Sequence, residues 1–372
     1  MDMNLDTEQQ ILKDGARDFF ANECPKSLVR EARESDDDYP IQLWQKMAEL
    51  GWMGVIVPEE HGGIGGDFMD LAILLEAMGE ACLPAPFFST AVVGATALAL
   101  SSAEKLKAEL SPKIASGELI MAFAMIEPGN TYGWANISTT AVAGSGEYVL
   151  AGTKLFVEYA SSADFLLTVA RVPDEGPALF LVETGGPGVE IRPLATLDDA
   201  RHYEVVLSDV SVPEGKLLAL GEEAEDLLTA LEVRTSVAKC AEMLGAMRAA
   251  FESSVTYAKE RVQFGHPIGS FQAVQHHCAN MLMDLEGSRS ITNLAAWKIA
   301  RGVPAATEAS MAKAFTSAAS NRLLKLGHQI HGAISYCDEH DMHLWLRRCK
   351  AASIAFGDAE YHLEKVAVEL GL

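Results

Sequence analysis

Arg261-Val262-Gln263-Phe264-Gly265-His266-Pro267-Ile268-Gly269-Ser270-Phe271-Gln272 separates two long helical runs, Leu244 to Glu260 and Ala273 to Ala300. Its Gly-x-Pro-x-Gly core cannot continue a helix, because Pro lacks the N–H and Gly is conformationally loose. A forked cation, an amide and an aromatic ring are thereby set on a sharp corner between helices. Such an Arg can grip a phosphate through two parallel bonds, and such a Phe can lie against a flat ring. Taken singly, each is also an ordinary turn residue.

Outward from this corner the pattern changes twice. From Glu222 onward the chain is helical and Ala-rich, in four stretches broken near Pro267, Pro304 and Gly332, which suits a bundle. Between about Glu118 and Leu218 lie short β-rich runs: Val149 to Val157, Phe165 to Val172, Ala178 to Val182 and His202 to Leu207. Gly144-Ser145-Gly146 and Gly185-Gly186-Pro187-Gly188 punctuate them, predicting a small antiparallel barrel or sandwich. From Asp6 to about Gly117 the period is helical. Ile11, Gly15, Phe19 and Phe20 share one face, as do Leu43, Met47 and Leu50, and Asp67 is placed to cap a helix running to Glu80. Helix and sheet in blocks predict an α+β multidomain fold. It has an all-helical N-terminal domain (1–117), a middle antiparallel β domain (118–220) and a C-terminal four-helix bundle (221–372). No Gly-x-Gly-x-x-Gly follows a strand to open a helix, which disfavours a Rossmann site.

The 372 residues carry a net charge of −23, which argues against nucleic acid or an anionic membrane as partner. The longest apolar run, around Ala91 to Leu100, is too short to span a bilayer. Met1-Asp2-Met3-Asn4-Leu5-Asp6 lacks the basic and apolar segments of a secretory leader. Six scattered cysteines without metal spacing read as reduced thiols, and the expected location is cytoplasmic. His276-His277 and His340-x-x-His343 lack partners at metal-ligand spacing, so no metal site is expected.

Three further motifs accompany the Arg261 string: Pro58-Glu59-Glu60-His61-Gly62-Gly63-Ile64-Gly65-Gly66, Ile126-Glu127-Pro128-Gly129, and Gln329-Ile330-His331-Gly332-Ala333-Ile334-Ser335-Tyr336. Together, and in this order, the four resemble the signature of acyl-CoA dehydrogenases. The resemblance runs over nearly the whole chain. It implies an FAD flavoprotein that desaturates an acyl-CoA thioester to the 2,3-enoyl-CoA and passes electrons to an electron-transfer flavoprotein.

That chemistry needs a carboxylate base in a dry site, a flavin as hydride acceptor and donors for the developing enolate. In many family members the base sits in a Tyr-Glu-Gly string. The matching string here, Ala355-Phe356-Gly357-Asp358, has Phe356 in its place, although the backbone N–H of Phe356 remains available in kind to bind the thioester carbonyl. The family's second base position falls at about Thr235, which is no base either. Glu242, seven residues on, shares that helical face and is the remaining candidate; the alternative is a salt bridge to Arg248 or Lys239. Ala-Glu-x-x-Gly around it resembles a branch of the family built from paired subunits.

The resemblance also assigns the cofactor. Family threonines beside the flavin ring are replaced by Ile126 and Glu158, and a Trp by Phe156, leaving backbone N–H groups of Met125, Ile126 and Val157 to serve the ring. Arg261, Gln263, Phe264 and Gln329 are intact, and in the family these reach the diphosphate and adenine of a neighbouring subunit's FAD. Gly332 is kept, whereas Ala333 and Ser335 depart from the motif. Tyr132 stands where the family often has a Ser touching CoA. The expected assembly is a homo-oligomer or an α2β2 heterotetramer with a related subunit. The alternatives are a non-catalytic or FAD-sharing subunit of such a heteromer, a flavin monooxygenase on the same fold, or a protein that has lost flavin.

Overall fold

Asp6 starts the first helix. Its carboxylate accepts from Gln9 N at 2.9 Å and the Gln9 side chain returns to Asp6 N at 3.3 Å, a reciprocal cap that satisfies two orphan donors. The computed structural model describes residues 5–129, 132–198 and 200–372. Met1 to Asn4, most of the stretch on which the expectation about a leader was read, lie outside the described residues. Six α-helices make up the first third: α1 (Thr7–Glu23), α2 (Lys26–Glu34), α3 (Ile41–Glu49), α4 (Phe68–Ala81), α5 (Ala95–Leu100) and α6 (Glu104–Ala115). A π-helical segment, Phe88–Gly94, leads into α5.

The buried face of α1 differs from the expected one. Ala16 and Phe20 are buried, while Ile11 is 67% exposed. Only Phe20 belongs to both faces, because the stripe is rotated to lay Ala16 and Phe20 toward α4, which packs against α1. On α3 Leu43, Trp44 and Met47 are buried, but Leu50 is the half-exposed C-cap.

The middle of the chain forms one eight-stranded sheet: β1 (Met121–Ala124), β2 (Thr140–Ala143), β3 (Glu147–Glu158), β4 (Phe165–Val172), β5 (Gly176–Glu183), β6 (Val189–Leu194), β7 (His202–Pro213) and β8 (Leu217–Leu220). The order is β6-β7-β3-β2-β4-β5-β8, with β1 beside β4. The sheet is not wholly antiparallel, as expected, but mixed: β1 and β2 each pair with β4 in parallel. The long excursion between β1 and β4 permits this, since parallel neighbours need a crossover that a tight hairpin cannot supply. Both Gly-rich stretches are turns, between β2 and β3 and between β5 and β6.

The C-terminal region holds α7 (Glu222–Glu260), α8 (Gln272–Ala300), α9 (Ala306–His331), α10 (Met342–Ile354) and α11 (Ala359–Glu369). The fourth helical stretch is thus two helices, because Phe356 and Gly357 both take positive φ (57° and 103°) and break it. Between α7 and α8 the corner is a two-residue hairpin, β9 (Val262–Gln263) against β10 (His266–Pro267). Its turn residues Phe264 and Gly265 both have positive φ (53° and 88°), as that tight, twist-matched loop requires.

The chain forms two compact units. One comprises residues through Arg30, Phe68–Leu83 and Ser236–Leu372; the other Glu31–Asp67 and Pro84–Thr235. No described helix is long and apolar enough to cross a membrane.

Candidate active site

In the sheet-containing unit the Ile126-Glu127-Pro128 segment leaves β1 and is held by Glu127, whose buried carboxylate accepts five bonds. Ser138 N and Oγ donate to Oε2, both at 2.6 Å. Thr139 N (2.9 Å), Thr139 Oγ1 (2.5 Å) and Lys154 Nζ (2.7 Å) donate to Oε1. Lys154 projects inward from β3, is fully buried and also donates to Val169 O at 2.5 Å. Gly152 admits this approach: a Cβ there would lie 2.3 Å from Thr139 Oγ1. Burial pushes the Glu127 carboxyl up, but Lys154 and the hydroxyl donors outweigh it and hold it at about 2. For Lys154 burial dominates, and the ammonium falls to about 8. Both groups are charged at neutral pH. The motif's Glu is therefore a structural anchor.

What the anchor holds is the adjoining backbone. Leu155 N donates to Ile126 O at 2.8 Å, and the Met125 and Ile126 N–H groups have no acceptor among the described residues. Across the strand, Phe156 sits at φ 54° with its ring half-exposed, at a break in the β3–β7 register. Val157 is buried opposite Tyr203, and Glu158 faces His202 in the ladder. His202 lies 3.3 Å from Asp198 Oδ2. Burial draws its imidazole down, but the Asp198 hydrogen bond, the Glu158 charge and the Phe156 carbonyl together hold it above its ordinary value. These contacts favour the protonated form of the imidazole beside Glu158. Tyr132 is half-buried in the loop before β2.

In the other unit α4 crosses α7 at two glycines. A Cβ on Gly79 would lie 1.8 Å from Glu242 O, and one on Gly245 1.8 Å from Glu76 O. This close approach fixes the rotation of α7 about its axis. Arg248 pairs with Glu76 (3.0 Å) and Glu80, so it is not the partner of Glu242. Lys239 is: its Nζ lies 2.9 Å from Glu242 Oε2, with side chains 7% and 22% exposed. Glu242 Oε1 has no partner among the described residues. Thr235, Lys239 and Glu242 share one face of α7 at spacings of four and three, and Thr235 Oγ1 donates back to Leu231 O at 2.8 Å.

The turn after α10 carries Phe356, whose carbonyl accepts from His362 Nε2 at 2.9 Å. Residues Arg261 to Pro267 are exposed throughout, and Phe264 is 88% exposed on the hairpin tip. Gln329 is exposed in the last turn of α9. Gly332 has φ 70° and open space where a Cβ would stand. Ala333 is exposed and takes no positive φ, so its departure from glycine costs nothing in backbone strain. Ser335 is buried, also without positive φ, and donates to Gly332 O at 2.7 Å. Among the described residues no group of three or more His, Cys, Asp or Glu could hold a metal ion.

In each unit taken by itself the exposed donors are of the kind that a flat ring or a phosphate accepts. There are two adjacent open amides beside Ile126, an exposed Arg–Gln–Phe hairpin, and an exposed Gln and Gly at the end of α9. Sequence reasoning missed Lys154, His202, Lys313 and His362. The signal for the lysines was available: Lys154 alternates in phase with buried Leu150, and Lys313 lies inside Ala309-Ser310-Met311-Ala312-Lys313-Ala314. A lysine on an apolar face needs a buried reason to be there.

Comparison with known proteins covers the whole chain. Residues 6–118, 122–210 and 233–371 match the N-terminal, middle and C-terminal domains of acyl-CoA dehydrogenase. An acyl-CoA dehydrogenase of Bacillus subtilis is 32% identical, over 96% of each chain. Among solved structures, butyryl-CoA dehydrogenase from Megasphaera elsdenii superposes with a TM-score of 0.92 at 26% identity, covering 100% of both chains. A chain of the ChsE4-ChsE5 complex from Mycobacterium tuberculosis gives 0.92 at 27% identity, covering 100% of this chain and 99% of that one.

Proposed function

The chain belongs to the acyl-CoA dehydrogenase family of oxidoreductases, and we propose that it binds FAD and desaturates an acyl-CoA to the 2,3-enoyl-CoA in the cytoplasm, with an electron-transfer flavoprotein as electron acceptor. The observation that carries this reading is where the backbone is strained. Of the seven described non-glycine residues with positive φ, three are Phe156, Phe264 and Phe356, all at positions the motifs single out. Such residues cost about 1–3 kcal/mol each and persist where function requires them.

In this reading the domains are 1–117, 118–220 and 221–372. Arg261, Gln263, Phe264, Gln329, Gly332 and Ala333 hold the diphosphate and adenine arm of an FAD shared with a neighbouring subunit. Met125, Ile126, Phe156 and Val157 flank its ring, and the Glu127–Lys154 anchor keeps their amides in place. When bound, FAD supplies the hydride acceptor. Tyr132 touches the CoA moiety, and Phe356 N–H donates to the thioester oxygen as enolate charge develops. Glu242 takes the α-proton. Its Oε2 is held by Lys239, so the proton ends on Oε1.

A second reading, an FAD-sharing subunit of an α2β2 heteromer, is favoured by the same pair, since a carboxylate engaged by a buried ammonium is less available as a base. The likeness to a chain of a two-subunit complex supports it too. The visible spectrum of the purified chain, followed during anaerobic addition of butyryl-, octanoyl- and 3-phenylpropionyl-CoA, tests both. Desaturation requires a flavin band that one of these thioesters bleaches, and Glu242→Gln should keep the band while slowing bleaching about a hundredfold or more. A colourless homo-oligomer that gains flavin only with a related subunit selects the second reading. Rapid bleaching in Glu242→Gln removes Glu242 as the base.

A further inference from the structure

One buried cation has no part in the chemistry so far. Lys313 lies on α9 and is fully buried. No carboxylate among the described residues is within ion-pair distance of it. Its ammonium donates instead to Gly357 O (2.6 Å), Ser353 O (3.0 Å) and Ser317 Oγ (3.4 Å), so three donors meet three acceptors. Burial lowers this lysine to about 8, with Lys239 adding to the lowering and Cys240 and Asp358 opposing it. A buried ammonium without a counter-ion is costly, and an apolar side chain of the same length would fill the space.

The two carbonyls that Lys313 grips bracket one turn. Ser353 O belongs to the last turn of α10, the negative end of that helix, where a cation is favourable. Beyond it Phe356 and Gly357 are successive left-handed residues. A Cβ on Gly357 would lie 2.4 Å from Tyr361 Cδ1, so the turn has no slack on that side. From α11, His362 Nε2 donates to Phe356 O at 2.9 Å, while its Nδ1 lies 3.3 Å from Ser310 Oγ. The turn is thus clamped by α9 and α11 together. An amide that must meet a developing charge has to be held to within about half an ångström.

We infer that Lys313 is a positioning residue for desaturation, clamping the Ser353–Gly357 turn so that Phe356 N–H is aimed at the thioester oxygen. The inference rests on the proposed function, in which that N–H meets the enolate.

The test compares holoprotein with and without Lys313→Met. Acetoacetyl-CoA is bound to each, and its enolate absorbance is followed against pH. Each is then reduced anaerobically by whichever of butyryl-, octanoyl- and 3-phenylpropionyl-CoA bleaches the wild type fastest. Expected are unchanged FAD content, an enolate that appears about one pH unit higher, and a kcat lower by roughly tenfold to a hundredfold with KM within about threefold. A folded variant with the wild-type enolate curve and kcat overturns the inference. So does a loss of activity that only follows lost FAD and a lower Tm, with the enolate curve unmoved. Should Lys313→Met fail to fold, Lys313→Gln, too short to span both carbonyls, is read in the same way. Wild-type protein that neither ionises acetoacetyl-CoA nor is bleached by any of the three thioesters refutes the desaturase reading, and the role of Lys313 falls with it.

Discussion

Replacing Lys154 with Met isolates the physics of the Glu127 anchor. Met fills most of the volume but leaves a carboxylate in a site where Glu127 is 2% exposed. The serine and threonine donors remain, yet the cation paired with Glu127 is gone. A carboxyl held at about 2 instead of the ordinary 4.5 corresponds to roughly 3 kcal/mol. Breaking a buried pair by removing one partner independently costs about 3–5 kcal/mol. The two figures agree, so the melting transition should fall by about 4–6 °C. The double variant Glu127→Gln/Lys154→Met removes both charges and should recover most of the loss. The pH dependence has a definite sign. A carboxyl depressed in the folded state gives stability that is present above about 4.5 and is lost as pH falls toward about 2. Lys154→Met should flatten that part of the acid denaturation curve. Because the anchor also holds the Met125 and Ile126 amides, FAD should bind more weakly in the single variant. Calorimetry from pH 7 down to pH 3 on the wild type, the single variant and the double variant reads each quantity. A single-variant loss under about 1 kcal/mol, or a double variant no better than the single, would refute the argument.

Other perturbations have equally plain outcomes. Gly245→Ala drives a Cβ into the Glu76 carbonyl of α4, 1.8 Å away, and should cost about 3 kcal/mol by urea unfolding; neutrality would mean that the crossing can open freely. Arg261→Ala should weaken FAD retention about tenfold to a hundredfold with helical content intact, measured by flavin fluorescence after dilution. Unchanged retention would leave Arg261 as a turn residue only. Asp198→Asn removes the hydrogen-bonded charge that holds His202 up, so the imidazole should titrate at lower pH by NMR. The stability that pairing gives His202 is complete at low pH and is lost as pH rises through its raised folded-state value, and the variant should lack that loss.

Much of the candidate site could be proposed from the sequence because its residues are few, polar and local. A Gly-Pro turn between helical runs announces a corner whatever surrounds it, and Arg261, Gln263 and Phe264 can be named from that string alone. The exposed hairpin tip then follows from two consecutive left-handed residues, Phe264 and Gly265. Glu242 was legible only as a carboxylate on the Thr235 face. Its choice of Lys239 over Arg248 was not, because Glu76 and Glu80 on α4 compete for Arg248 from far away in sequence.

Sequence by itself determined the order of helical and β blocks, the breaks near Pro267, Pro304 and Gly332, and the net acidity of the chain. These depend on local periodicity, backbone restrictions and summed charge, which need no knowledge of the fold. Tertiary structure decided the rest: which face of α1 is buried, that β1 and β2 run parallel to β4, and that Lys154 and Lys313 are interior cations. Each of these depends on a partner remote in the chain. Strand direction is set by the path of a crossover, and the standing of a buried charge by acceptors that only the assembled core brings within reach.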